Sequence, residues 1–94
     1  MQKNEVRTIV IDVLKMVQTI SGREVGDIIG STCPIEDLDG FDSLSGVEAS
    51  VTLSDRLGFE LPGVNAFVNE KGTKALSVDE IADSICMAIE GAEA

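Results

Sequence analysis

Asp42 and Ser43, near the middle of the chain, are the residues whose types and spacing most clearly allow chemistry. They lie where a loop-like stretch gives way to a helical pattern, so Asp42 is placed to be the N-cap, accepting from backbone N–H groups two or three residues later. Ser43 is then the first helical residue, beside the positive end of the helix dipole. Free N–H groups and the dipole together favour phosphate there. The pair therefore predicts a serine hydroxyl suited to carrying a phosphodiester.

The residues that follow extend this pair into a longer motif. The chain reads Asp42-Ser43-Leu44, and a Val47-Glu48 pair begins three residues after Leu44. Leu44 and Val47 share one face of a helix at this spacing. The motif resembles the prosthetic-group site of the acyl carrier proteins, in which Asp-Ser-Leu marks the serine that receives 4′-phosphopantetheine and a Val-Glu pair follows. The resemblance covers most of the chain.

The resemblance implies a function and a chemistry for Ser43. A phosphopantetheinyl transferase, using Mg²⁺ and coenzyme A, would attach 4′-phosphopantetheine to its hydroxyl as a phosphodiester. The thiol of the arm would carry an acyl group as a thioester, in fatty acid, polyketide or specialised lipid synthesis, and the acyl chain would fold back between the helices. The chain itself would not be an enzyme. The residues expected to meet the transferase and the acyl-transferring and acyl-modifying enzymes are Asp42, Leu44, Val47 and Glu48.

Composition sets bounds on structure and partners. The length of 94 residues predicts one domain, and the absence of His removes the commonest general base and metal ligand. The net charge of −10, most of it within residues 25–62, favours basic protein surfaces over nucleic acid as partners. Cys33 and Cys86 lack metal-ligand spacing and are expected to be reduced thiols in a cytoplasmic protein. No apolar run is long enough to span a bilayer. We expect a monomer without a metal site or catalytic residue.

Hydrophobic periodicity predicts the outer helices. Residues 4–20 are expected to form helix I, capped by Asn4 and ended at Gly22. Its buried stripe is expected to be Val6, Ile9, Val10, Val13, Leu14, Val17 and Ile20. Its outer face is expected to be Lys3, Glu5, Arg7, Asp12, Lys15 and Gln18. Residues 77–90 are expected to form helix IV, opened by a Ser77–Glu80 capping box. Its buried stripe is expected to be Val78, Ile81, Ala82, Ile85 and Ile89.

The middle of the chain is expected to hold the serine and its surroundings. Residues 21–42 are expected to form a long loop with a helical turn near Asp27–Ile29, followed by helix II at residues 43–57. The inner face of helix II is expected to be Leu44, Val47, Val51 and Leu57, with Leu53 at its edge. Gly46 either allows close approach of a partner or the arm, or lies unconstrained on an exposed face. A short helix III is expected within residues 63–76, around Val64, Phe67 and Val68.

These elements together predict an all-α four-helix bundle. It has three longer helices plus a short third helix, and a long loop between helices I and II. Residues 1–94 are expected to form a single acyl-carrier-like domain.

Three other functions are compatible with parts of the sequence. Asp37, Asp39 and Glu48 fit ligand positions of a calcium loop, but Phe41 and Asp42 occupy positions that need a ligand and a glycine, which argues against that loop. A carrier of aminoacyl or peptidyl groups would use the same serine. A small acidic helical adaptor would use Ser43 only as a helix-start residue.

Overall fold

Three long helices and one short one make up the regular structure of the computed structural model, which describes residues 1–93; no strand occurs in that range. The helices are α1 (Lys3–Ile20), α2 (Pro34–Asp37), α3 (Ser43–Leu57) and α4 (Val78–Glu93). The all-α prediction is confirmed, and the four helices are compatible with a small helical bundle. The predicted span of the serine-bearing helix, residues 43–57, is confirmed.

The core lies where α1 packs against both α3 and α4. Two predicted stripes supply most of it, and their buried members are Val6, Val10, Val13 and Leu14 of α1, and Val78, Ile81, Ala82, Ile85 and Ile89 of α4. Burying each larger apolar side chain contributes roughly 1.5–3 kcal/mol. Phe41 and Phe67 close the core from outside the long helices, with ring centroids 5.3 Å apart in an edge-to-face arrangement.

Ion pairs also join α1 to α4. Lys3 Nζ lies 3.0 Å from Asp83 Oδ1, and Arg7 Nε lies 2.9 Å from Asp79 Oδ1. All four side chains remain partly exposed. Exposed pairs of this kind contribute only about 0–1 kcal/mol each, so apolar packing remains the main cohesion between the two helices.

The end of α1 differs from its prediction. Gln18, expected on the outer face, is fully buried, whereas Ile20, expected in the buried stripe, is 77% exposed. Gln18 is buried because its amide makes hydrogen bonds to the segment that precedes α3. The predicted Asn4 cap is also wrong, because Gln2 is the N-cap and its backbone N–H donates to the Glu5 carboxylate.

The short helices differ from prediction in place. No helix forms within residues 63–76; Val68 and Ala75 instead form an isolated antiparallel bridge across a tight turn. The Asn69 side chain stabilises this turn by accepting from the backbone N–H of Thr73. The only turn of helix between α1 and α3 is α2, which begins at Pro34, a residue favoured in a first helical turn, rather than near Asp27–Ile29.

The capping box predicted for the last helix is confirmed. The Glu80 backbone N–H donates to the Ser77 hydroxyl, and the Ser77 backbone N–H donates to the Glu80 carboxylate. These bonds and the ion pair with Lys74 lower the pKa of Glu80. The helix continues to Glu93, past the predicted end at residue 90.

Candidate functional site

The start of α3 is fixed by its N-cap. Asp42 adopts an extended backbone conformation, and its Oδ1 accepts from the Ser45 backbone N–H at 2.9 Å. The predicted cap is therefore confirmed. The hydrogen bonds from Ser45 are the main cause of the lowered pKa of Asp42, and the nearby positive charge of Arg23 lowers it further. Asp42 is a carboxylate at neutral pH, held at the helix terminus that favours negative charge.

Ser43 is the first residue of this helix and is exposed to solvent. Its backbone carbonyl accepts from the Asn65 side-chain amide at 3.1 Å. Within residues 1–93, its hydroxyl makes no hydrogen bond to the protein. The serine backbone is thus fixed while its hydroxyl remains free to react.

The faces of α3 differ from their prediction. Leu44 and Val51, expected inside, are 67% and 62% exposed, and Val47 is half-buried. Glu48 lies exposed beside them. The buried residues of α3 are instead Ser45, Gly46, Ala49, Ser50 and Leu53. The four residues expected to bind partners, Asp42, Leu44, Val47 and Glu48, are therefore at least partly accessible from solvent.

The polar inner face of α3 holds the connector, which we define as residues 58–77. Ser50 is buried; its hydroxyl donates to the Gly46 carbonyl at 2.7 Å and accepts from the Ala66 backbone N–H at 2.9 Å. Ser54 accepts from the Leu61 backbone N–H at 3.3 Å. These serines replace the backbone partners that a helix III would have supplied.

The packing around Gly46 explains why glycine occurs at this position, which the sequence alone does not indicate. A Cβ at this position would lie 2.7 Å from Asn65 Oδ1, closer than side-chain atoms are found. That oxygen accepts from the Phe67 backbone N–H, and the amide nitrogen of Asn65 donates to the Ser43 carbonyl. Gly46 is buried, so it does not lie on an exposed face; it leaves room for the side chain that joins the connector to the first turn of α3.

A second polar network lies behind the serine turn, which we define as residues 39–43. The Gln18 Nε2 donates to the Asp39 carbonyl at 2.7 Å. One Arg23 nitrogen, Nη1, donates to both Gln18 Oε1 and the Ser45 hydroxyl, each at 3.3 Å. A Cβ at Gly40, which has a φ of 66°, would lie 2.7 Å from Arg23 Nε. The network therefore links the end of α1 to the turn that presents Ser43.

An open groove of about 1080 Å³ lies between the connector and α4. Its walls are largely apolar and include Leu61, Val64, Ile85 and Met87. Asn65 lies on its edge and bonds to Ser43, so the groove begins beside the start of α3. The space between α1, α3 and α4, in contrast, is filled by side chains without solvent exposure, such as Leu14 and Leu53.

Within residues 1–93, no helix has both the length and the apolar character needed to cross a membrane. Over the same residues, no group of three or more Cys, Asp and Glu side chains is arranged to hold a metal ion.

The chain was compared with protein-family models, with curated proteins and with solved structures, and none of the three comparisons gave a match. The resemblance to the acyl carrier proteins therefore depends on the Asp42-Ser43-Leu44 motif and its surroundings.

Proposed function

We propose that this chain is a discrete acyl carrier protein, which carries acyl intermediates as thioesters on a phosphopantetheine arm attached to Ser43. The observation that supports this most directly is the state of Ser43 itself. Its hydroxyl is exposed and makes no hydrogen bond within residues 1–93, although its backbone carbonyl accepts from Asn65 and the preceding residue, Asp42, caps the helix through the Ser45 N–H. A fixed backbone with a free hydroxyl is what a modifying enzyme needs in an acceptor serine.

The residues around Ser43 fit a phosphopantetheine group. The side chain faces solvent at the first turn of a 15-residue helix, so a phosphodiester there displaces no packed residue. The positive end of the helix dipole and the Arg23 guanidinium, which already lowers the pKa of Asp42, favour negative charge nearby. When bound, the arm supplies a thiol for thioester chemistry, and this chain's own residues position it.

The exposed face of α3 is suited to meeting partner enzymes. Leu44 and Val51 lie about two helical turns apart on this face, and Glu48 lies between them. An apolar centre with carboxylates around it is complementary to an apolar pocket with a basic rim. We propose that the transferase and the acyl-handling enzymes dock here, close to Ser43.

The groove beside Asn65 is the proposed place for the carried acyl chain. The resemblance implies that the acyl chain folds back between the helices, but the interior between α1, α3 and α4 is filled by buried side chains. The groove between the connector and α4 has largely apolar walls, is open to solvent and has a volume of about 1080 Å³, so it offers room for an acyl chain.

The test is the intact mass of the protein before and after incubation with a broad-specificity phosphopantetheinyl transferase, Mg²⁺ and coenzyme A. The wild type and Ser31→Ala, which alters an exposed serine outside α3 and the serine turn, are expected to gain the mass of one phosphopantetheine, and Ser43→Ala is expected to gain none. Absence of any gain in a folded, initially unmodified wild type would refute the carrier function and favour the adaptor. If the wild type does gain this mass, loading assays with acyl and aminoacyl groups would distinguish an acyl carrier from an aminoacyl carrier.

A further inference from the structure

Four residues from two parts of the chain meet behind the serine turn. Gln18 is a fully buried polar side chain, and each end of its amide has a partner, the Asp39 carbonyl and Arg23 Nη1. Arg23 Nη1 also donates to the hydroxyl of Ser45, and the backbone N–H of Ser45 donates to the capping carboxylate of Asp42. The core of the bundle does not need these contacts, because apolar packing already joins α1 to α3.

Burying an amide and half-burying a guanidinium is costly unless their hydrogen bonds are made. An apolar residue at position 18 would fit the α1 stripe at no such cost. The contacts made by Gln18 and Arg23 are therefore explained by the groups that they bind, the Asp39 carbonyl and the Ser45 hydroxyl, which lie on either side of Ser43 in the chain.

We propose that Arg23 and Gln18 are positioning residues for the modification of Ser43, holding the serine turn in the conformation that presents its hydroxyl. This inference rests on the proposed function of Ser43. Neither residue touches the reacting atoms; both act through Asp39 and Ser45. Gly40 is part of the same arrangement, because a side chain at this position would displace the Arg23 guanidinium.

The planar fork of arginine matters in this arrangement. Nη1 donates to two oxygens at once, while Nε faces Gly40. Lysine would keep the positive charge near Asp42 but cannot reproduce this geometry. Arg23→Lys therefore separates positioning from charge, and it keeps the test decisive if Arg23→Ala does not fold.

The experiment measures kcat and KM for the transfer of phosphopantetheine to Arg23→Ala, Arg23→Lys and Gln18→Leu. Because small misplacement of a reacting group is costly, kcat is expected to fall by about 10-fold or more in all three, with KM little changed. The matched control is Arg56→Ala, which removes the same charge from the exposed C-terminal end of α3, where Arg56 donates a hydrogen bond to the Met16 sulfur. Its kcat and KM are expected to equal those of the wild type.

Amide hydrogen exchange supplies a readout that does not depend on modification. In Arg23→Lys, the Ser45 amide is expected to exchange faster, while amides of the α1 and α4 core keep their wild-type protection. A wild-type kcat in Arg23→Lys and Gln18→Leu, or a loss that appears in KM alone and equally in Arg56→Ala, would overturn the proposal. A wild type that accepts no phosphopantetheine would refute the carrier function, and unchanged Ser45 exchange would then refute the positioning role separately.

Discussion

The four serines of α3 show how position decides the role of one residue type. The hydroxyls of Ser45, Ser50 and Ser54 have partners in Arg23 or in the connector. The hydroxyl of Ser43 has none within residues 1–93, and it lies on the exposed rim of the helix. At the scale of single residues, this difference is the reason to assign chemistry to Ser43 and structure to the other three.

Asp42→Asn is expected to reduce the acid sensitivity of the protein. The pKa of Asp42 is lower in the folded chain than its ordinary value, so its stabilising contribution is complete above about pH 4 and is lost as pH falls through the lowered pKa. Asparagine is also a good N-cap, so it keeps the hydrogen bond from Ser45 without titrating. Urea unfolding of the variant between pH 7 and pH 2.5 should show a shallower loss of stability than the wild type shows.

Asp55→Asn is the control for this titration, because Asp55 is exposed on the same helix and caps nothing. Its loss of stability over the same pH range should match that of the wild type. If Asp42→Asn kept the full slope as well, the cap would not be the source of the acid sensitivity.

At the scale of elements, the polar inner face of α3 explains why this helix contains residues of low helix propensity. Serine and glycine are weak helix formers, yet Gly46 and Ser50 are buried in this one. Gly46 leaves room for the Asn65 side chain, and Ser50 accepts from the Ala66 backbone N–H. A helix III is therefore unnecessary, since the connector obtains its hydrogen bonds from α3 instead.

Ser50→Ala is expected to destabilise the protein by about 1–3 kcal/mol, because it leaves the Ala66 backbone N–H without its acceptor in a partly buried place. Ser43→Ala makes the same chemical change on the same helix at an exposed hydroxyl, and its effect should lie within about 0.5 kcal/mol of zero. Urea unfolding measures both variants. Equal effects in the two would show that Ser50 does not hold the connector.

Sequence patterns predicted the elements whose signals are local. The stripe of α4, the stripe of α1 from Val6 to Leu14, the Asp42 cap and the Ser77–Glu80 box all depend on residues a few positions apart, and these predictions are confirmed. The failures concern partners distant in sequence. Periodicity predicts Gln18 on the surface, whereas the residue is buried and donates to the carbonyl of Asp39, 21 residues away. Leu44 and Val51 looked like core because apolar periodicity does not tell a buried face from a docking face.

The candidate site was predicted in part for the same reason. The start of the helix at Ser43 and the capping role of Asp42 follow from local residue types. The network of Gln18 and Arg23, and the clamp of Asn65, do not. The serines at positions 45, 50 and 54, in a helix of low intrinsic propensity, were the signal that could have indicated a buried polar face.

At the scale of the whole molecule, the acidic charge is concentrated around the serine rather than spread evenly. Most of the net charge of −10 falls within residues 25–62. Such a field raises the rate of encounter with a basic partner and is screened by salt. Recognition is therefore expected to depend on both the charge and the apolar centre at Leu44.

Glu48→Lys is expected to raise the KM of the transferase for the protein by up to about 10-fold at low salt, because it reverses a charge next to the exposed residues of α3. The difference from the wild type should shrink toward 0.5 M salt as screening increases. Glu90→Lys makes the same change on α4 and should have a smaller effect. Equal effects of the two variants, or no salt dependence, would argue against a docking face at α3.

Site-resolved mass spectrometry of the modified protein tests the central claim most directly. Cleavage after Arg23 and Arg56 yields one peptide, residues 24–56, that contains every serine of α3. After incubation with transferase, Mg²⁺ and coenzyme A, fragmentation should place one phosphopantetheine between Asp42 and Leu44. A modification on Ser45, Ser50 or Ser54, or none on a folded chain, would contradict the account.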